Sequence, residues 1–180
     1  MCDRRRSAHL EKILVLGYGN ADRQDDGAAW HVLNRLARRL GLEAPPSPHE
    51  GLEAAQELQV NGRTVFIQLL FALQLSPEMG ETLAEFDRVC FVDAHTGSVP
   101  EEIHHEKLQS AFQASPFTHH LTPAACLEIS AALYGRCPDA ALLSIRGYEF
   151  GFTTSLSPRT EKLVDQAAGQ LHSWIEHNRF

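Results

Sequence analysis

Apolar and polar positions alternate along this chain in blocks that predict strands and helices in turn. Short runs of β-branched and large apolar residues are typical of strands buried in a sheet. Such runs predict four buried strands and one weaker strand at the edge of the sheet. The buried strands are expected at residues 12–16, 64–72, 87–94 and 140–146, and the edge strand at residues 103–108.

Helical periodicity is clearest over residues 28–40, where apolar positions repeat on one face and Gly41 marks the end. Three more helices are predicted where a hydroxyl residue precedes proline, because the hydroxyl caps a free N–H and proline fits the first helical position. These pairs are Ser76-Pro77, Thr122-Pro123 and Ser157-Pro158, with helices expected over residues 77–86, 123–134 and 158–177. Residues 52–58 also look helical.

Strands that alternate with helices favour an α/β fold, with a mostly parallel sheet covered by helices on both faces. A chain of 180 residues with 43% hydrophobic residues can bury one sizeable core. Residues 11–180 are therefore expected to form a single domain. Residues 1–10 lack the pattern and are expected to be a flexible tail.

Charge and composition exclude several classes of function. The formal charge of −7 argues against nucleic acid as the main partner. No stretch approaches the ~20 apolar residues of a membrane span, and no signal peptide is evident, so a cytoplasmic protein is expected. Four cysteines form no C-x-x-C pair, and Cys90 and Cys126 lie in apolar patterns, which predicts buried free thiols.

The most distinctive segment is a glycine-rich, acidic turn between the first strand and the first helix. It contains Gly17, Gly19, Asp25 and Asp26. It does not match the dinucleotide-binding fingerprint, because Asp22 occupies the third glycine position, and it lacks the lysine of a P-loop. Ligands bind at this edge of open α/β sheets, and acidic side chains there suit a cation better than a phosphate.

Further candidate metal ligands are expected at the same edge of the sheet. Asp93 ends the strand at 87–94, and the pair His119-His120 precedes the helix at 123–134. Two carboxylates and an imidazole suit a borderline divalent ion such as nickel or zinc.

Each of these residues also has an ordinary structural explanation. Asp25 or Asp26 can cap the first helix, Asp93 can accept hydrogen bonds from loop amides, and a histidine pair is commonly exposed. The metal hypothesis therefore depends on folding bringing the residues together at one edge of the sheet.

In their order and spacing these motifs resemble the maturation endopeptidases of NiFe hydrogenases, over nearly the whole chain after the tail. The matching segments are residues 13–20 with Asp25-Asp26-Gly27, Phe91-Val92-Asp93-Ala94, His119-His120-Leu121 and Leu156-Ser157-Pro158. The resemblance implies a three-layer α/β/α sandwich. It also implies a protease that removes the C-terminal extension of the hydrogenase large-subunit precursor after nickel insertion.

The resemblance further implies site residues. The metal-holding and catalytic positions of the family correspond to Asp26, Asp93 and His119, with His120 as the alternative histidine. Residues of the glycine loop are expected to contact the substrate, namely Gly17, Gly19, Asn20 and Asp25. The chain departs from the family in its aspartate at 26, where some members have glutamate, in Ala29, and in the segment 71–78.

The mechanism that the resemblance implies uses no nucleophile from the protein. Nickel bound to the precursor would be recognised by the three ligands, and other divalent ions are expected to occupy the same site. A metal there can polarise the scissile carbonyl or lower the pKa of an attacking water. Two other functions stay open: a nickel-checking chaperone module that cuts nothing, and a nucleotide-binding α/β protein, which the acidic loop disfavours.

Overall fold

The computed structural model describes residues 10–110 and 121–180, in which helices separate most of the strands. The strands are β1 (Glu11–Tyr18), β2 (Glu53–Val60), β3 (Arg63–Ala72), β4 (Arg88–His95), β5 (Ile103–Leu108) and β6 (Asp139–Arg146). The helices are α1 (Ala28–Leu40), α2 (Met79–Ala84), α3 (Pro123–Tyr134) and α4 (Pro158–His177).

The strands form one mixed sheet in the order β2-β3-β1-β4-β6-β5. The four central strands are parallel, whereas β2 and β5 run antiparallel at the two edges. Every residue of β1 from Ile13 to Gly17 is buried, as expected for a strand covered on both faces. The predicted three-layer α/β/α sandwich with a mostly parallel sheet is confirmed, and so are the predicted strands.

Alternate residues of the central strands enter two separate cores, because successive side chains of a strand point to opposite faces. Ile13 and Val15 of β1 pack in the core that α1 and α4 cover. Leu14 and Leu16 pack in the core beneath α2 and α3. Helices therefore cover both faces of the sheet and leave the ends of the strands free to form a site.

Three of the predicted helices have the predicted ends. Helix α1 stops at Gly41, whose φ is 72°. Thr122 caps α3 by accepting a 3.2 Å hydrogen bond from the N–H of Ala125. Ser157 caps α4 by accepting from the N–H of Thr160 at 3.4 Å.

The helix expected over residues 52–58 is wrong, because this segment forms β2. Asn61 and Gly62 have φ values of 48° and 77°, and two successive positive φ angles make the two-residue turn that best joins antiparallel strands. The turn pairs β2 with β3 along eight residues, from Glu53 to Val60. Ladder hydrogen bonds to β3 thus override the helix propensity of the segment's Glu, Ala and Gln residues.

The helix expected over residues 77–86 is shorter than predicted, and Ser76 does not cap it. Helix α2 begins at Met79, after a residue that makes no side-chain capping bond. The N–H of Met79, which a Ser76 cap would use, donates instead to the backbone carbonyl of Ser76 at 3.1 Å. A tight turn therefore replaces the first turn of the expected helix.

The remaining sequence predictions concern thiols, the tail and the membrane. Cys90 and Cys126 are buried free thiols, as predicted, whereas Cys137 is exposed. Cys2 and residues 1–9 lie outside the described residues. None of the helices in the described part of the chain is long and apolar enough to cross a membrane.

Candidate functional site

Asp26 and Asp93 come together at the carboxyl end of the central strands. Strands β1 and β4 are paired with Gly17 opposite Val92, so Tyr18 at the end of β1 lies beside Asp93. The Tyr18 side chain hydrogen-bonds to the Asp93 carboxylate, and the charge of Asp26 also acts on that carboxylate. Parallel pairing is what brings residues so distant in sequence to one edge.

The acidic loop after β1 depends on Gly19, whose φ is 139°. A Cβ atom at this position would lie 2.2 Å from the backbone carbonyl oxygen of Asp26, so only glycine fits. The N–H of Asn20 donates to Oδ2 of Asp26 at 3.0 Å. Gly19 and Asn20 thus shape the loop around Asp26, whose side chain is half-buried. Their contact with substrate stays a prediction.

Asp93 is a carboxylate in a poorly solvated position. Burial raises its pKa to about 6, hydrogen bonds from Tyr18 and Ala94 oppose that rise, and the charge of Asp26 adds to it. The N–H of Ala94, the next residue of β4, donates to Oδ1 at 2.7 Å. Burial, rather than repulsion from Asp26, is the main cause of the raised pKa of Asp93.

The pKa of Tyr18 is also raised, first by burial and then by the neighbouring Asp93 charge. Its hydroxyl therefore stays protonated and can act only as a neutral donor toward Asp93. Sequence reasoning missed this residue, since a tyrosine at the end of an apolar strand gives no signal of its own.

Asp25 has a different environment from its neighbour Asp26, because its side chain is fully buried. Its carboxylate accepts five hydrogen bonds of 2.7–2.9 Å, from the N–H and hydroxyl of Ser157, the hydroxyl of Thr160, and the N–H groups of Tyr148 and Glu149. Burial alone would raise the pKa of Asp25, but the bonds from Ser157, Tyr148 and Glu149 outweigh it and hold the pKa below its usual value.

Asp25 and Gly17 are both buried, and their predicted contact with substrate stays a prediction. The Asp25 carboxylate is enclosed by donors of its own chain. Gly17 is buried beneath α1, where a Cβ atom would lie 3.1 Å from Leu33 Cδ1 and 3.3 Å from Ala29 Cβ. Asp25 therefore holds the loop, and Gly17 allows close packing of α1 on β1. Neither aspartate caps α1, which follows a 3-10 turn without a side-chain capping bond.

The bonds to Asp25 fasten a second loop, residues 147–157, against the acidic loop. Gln24 adds three more bonds. Its N–H donates to Thr153 O at 2.8 Å, its Oε1 accepts from Gly151 N at 2.9 Å, and its Nε2 donates to Glu149 Oε2 at 3.0 Å. The two loops therefore form one hydrogen-bonded unit on the rim of the site.

The third predicted ligand, His119, and its alternative His120 lie outside the described residues. Within residues 10–110 and 121–180, no three His, Cys, Asp or Glu side chains are grouped closely enough to hold a metal ion. The described site therefore supplies two carboxylates, Asp26 and Asp93. Oxygen ligands of this kind fit a divalent ion, and a third ligand would have to come from elsewhere.

The buried thiols do not offer a nucleophile. Burial raises the pKa of Cys126 to about 12 and raises that of Cys90 further. A thiol is nucleophilic only as a thiolate, so neither is reactive at neutral pH. The chemistry available at this edge is that of carboxylates.

Comparisons with known proteins find likeness in structure alone. No family model matches the sequence, and no curated protein sequence matches it. The structure is similar to the hydrogenase maturating endopeptidase HybD from E. coli, with a TM-score of 0.60, 18% identity, and coverage of 92% of this chain and 93% of that one. It is also similar to the NiFe hydrogenase maturation protease HycI from Thermococcus kodakarensis, with a TM-score of 0.55, 22% identity, and coverage of 92% and 95%.

The same fold also occurs in a protein with another substrate. A peptidyl-tRNA hydrolase from Acinetobacter baumannii matches with a TM-score of 0.51 and 15% identity, over 93% of this chain and 87% of that one. Because one fold can host several functions, function has to be argued from the site. The chain has the α/β fold of the solved hydrogenase maturation endopeptidases, as its motifs predict.

Proposed function

We propose that this chain is an endopeptidase that removes the C-terminal extension of a NiFe hydrogenase large-subunit precursor after nickel insertion. The observation that carries the proposal is the pair of carboxylates, Asp26 and Asp93, at the carboxyl edge of the sheet. The fold shared with solved maturation proteases supports it, and so does the order of the motifs in the sequence.

In this proposal nickel is part of the substrate and arrives bound to the precursor. Asp26 and Asp93 offer it oxygen ligands, and His119 is the proposed third ligand, with His120 as the alternative. A half-buried pair of carboxylates favours a cation, because each negative charge is otherwise poorly solvated and close to the other. Precursor without nickel would lack this attraction and would be left uncut.

The protein's own residues position the substrate rather than attack it. A bound metal can polarise the scissile carbonyl or lower the pKa of the attacking water. Gly19 and Asn20 hold Asp26 in place, and Tyr18 and the N–H of Ala94 hold Asp93. Both carboxylates are thus fixed before the precursor binds, which lowers the entropic cost of the reaction.

A peptidyl-tRNA substrate fits this chain less well, although one protein of similar fold acts on it. The formal charge of −7 opposes an RNA backbone. The acidic loop with Asp22, Asp25 and Asp26 stands at the site itself. A nucleotide ligand is disfavoured for the same reason.

Incubation with nickel-loaded and nickel-free precursor, followed by intact-mass measurement, tests the proposal. We expect a C-terminal peptide to be lost from the loaded precursor only. Asp26→Asn should abolish the loss, while Asp22→Asn, an exposed carboxylate of the same loop, should leave it unchanged. Binding of the loaded precursor without any cleavage would favour the non-proteolytic nickel-checking function instead.

A further inference from the structure

The rim of the site carries an aromatic side chain that the fold leaves in water. Phe152 in the loop 147–157 is 89% exposed, more than any other large hydrophobic residue in the described ranges. An exposed phenyl ring forgoes the stabilisation that burial of such a side chain provides. The fold does not bury Phe152, so only a partner molecule could cover its ring.

The backbone on both sides of Phe152 is fixed. Gly151 donates its N–H to Oε1 of Gln24 at 2.9 Å, and the carbonyl of Thr153 accepts from the N–H of Gln24 at 2.8 Å. Thr153 also forms a β-bridge with Arg23. A phenyl ring on an anchored backbone loses little conformational entropy when a partner binds it.

Arg23 and Phe152 form one amphipathic patch next to Asp26. The guanidinium of Arg23 lies 5.2 Å from the centre of the Phe152 ring, within the range of a cation–π interaction. The carbonyl of Arg23 accepts from the N–H of Asp26 at 3.2 Å, so the patch is one turn away from the proposed ligand.

We propose that Phe152 and Arg23 are the docking anchor for the precursor protein, with the ring entering an apolar pocket and the guanidinium meeting a carboxylate beside that pocket. This inference rests on the proposed function and adds a specificity element to it. Buried aromatic and arginine side chains surrounded by polar groups are the usual anchors of protein interfaces.

A second copy of this chain is a poorer occupant of the patch. It would cover the rim beside Asp26 and obstruct the route by which a protein substrate reaches the carboxylates. Each copy also carries a formal charge of −7, which opposes self-association.

Steady-state processing of nickel-loaded precursor by Phe152→Ala tests the anchor. We expect KM to rise by about tenfold or more, as for a truncated anchor residue, with kcat and the melting temperature unchanged. The matched control is Leu133→Ala, which removes a 72% exposed side chain near the end of α3, away from the site. Leu133→Ala should change neither KM nor kcat.

Several outcomes would overturn the anchor. An unchanged KM in Phe152→Ala would refute the anchor. A fall in melting temperature with a matching fall in kcat would also refute it, because such a result indicates a structural role for Phe152. A shift in oligomeric state of Phe152→Ala on size-exclusion chromatography would assign the patch to a second copy.

Direct binding separates this inference from the proposed function. If the wild-type protein binds loaded precursor in calorimetry without cutting it, the peptidase proposal fails. The anchor is then judged by whether Phe152→Ala weakens that binding by about tenfold. If the wild-type protein neither binds nor cuts, both proposals fail.

Discussion

The hydroxyl of Ser157 donates a 2.7 Å hydrogen bond to the carboxylate of Asp25, across 132 positions of sequence. Ser157 also caps α4, and Asp25 directly precedes the proposed ligand Asp26. The start of the last helix and the acidic loop are thereby held as one unit.

Replacement of Asp25 by alanine should destabilise the fold strongly. The change removes the acceptor of five hydrogen bonds at a buried position, at an expected cost of about 3 kcal/mol. Urea denaturation followed by circular dichroism measures it. Asp22→Ala removes an exposed carboxylate of the same loop and should change stability by less than about 0.5 kcal/mol. Similar effects from the two variants would contradict the role given to Asp25.

The contribution of Asp25 should also depend on pH. Its pKa is held below the ordinary value of 3.8 in the folded protein, so the folded state binds this proton less tightly than the unfolded state. The stabilisation is therefore complete above that ordinary value and is lost as pH falls through the folded pKa. The free-energy difference between wild type and Asp25→Asn should accordingly shrink in strong acid.

Asp93→Asn should stabilise the metal-free protein at neutral pH. The folded pKa of about 6 lies above the ordinary 3.8, so ionisation of Asp93 costs stability as pH rises across that window. The amide removes this cost, which amounts to about 3 kcal/mol. Denaturant midpoints measured from pH 4 to 8 should therefore diverge with rising pH. A constant difference between variant and wild type would contradict the prediction.

Loss of a proposed ligand should abolish processing while the fold is kept. Asp26→Ala, Asp93→Ala and His119→Ala are each expected to slow cleavage of loaded precursor by on the order of 100-fold or more, since even outer partners of metal ligands cost 10–100-fold. Circular dichroism checks the fold. Loss of activity in His120→Ala with a silent His119→Ala would reassign the histidine and keep the site. Wild-type rates in all the variants would remove the metal hypothesis.

A divalent ion should stabilise the precursor-free protein. Nickel or zinc at 100 times its dissociation constant is expected to add about 2.7 kcal/mol, read as a rise in melting temperature. Asp26→Ala should lose this rise, because it removes one of the two described carboxylates. A wild-type melting temperature that stays the same at saturating nickel and zinc would rule out the ion site.

Gly19→Ala should impair both stability and processing. The new Cβ would lie 2.2 Å from the carbonyl oxygen of Asp26, at a φ of 139°, so the loop has to move and costs roughly 1–3 kcal/mol. Gly41→Ala is the matched control, since Gly41 also has a positive φ but no atom near its absent Cβ. It should lower stability without affecting the rate of cleavage.

The hydrophobic pattern predicts most of the fold because the signals for its elements are local. Helix α1 spans residues 28–40 as predicted, since its apolar stripe and the glycine at its end lie within the segment itself. The helix predicted for residues 52–58 is wrong for a related reason. Its composition favours a helix, and the Asn61-Gly62 turn that makes it a strand lies just beyond it.

The parallel order of strands also predicts that residues ending β1 and β4 meet at one edge, and the structure places Asp26 and Asp93 there. The hydrophobic pattern alone does not separate Asp25 from Asp26, two identical neighbours in one loop that only the family resemblance tells apart. Asp25 is fully buried among donors from residues 148–160, while Asp26 is half-buried beside Asp93. Local patterns determine strands, helices and their order, because those depend on neighbours in sequence. Only the tertiary structure decides which carboxylate is enclosed and which stays accessible, because the donors come from more than 120 residues away.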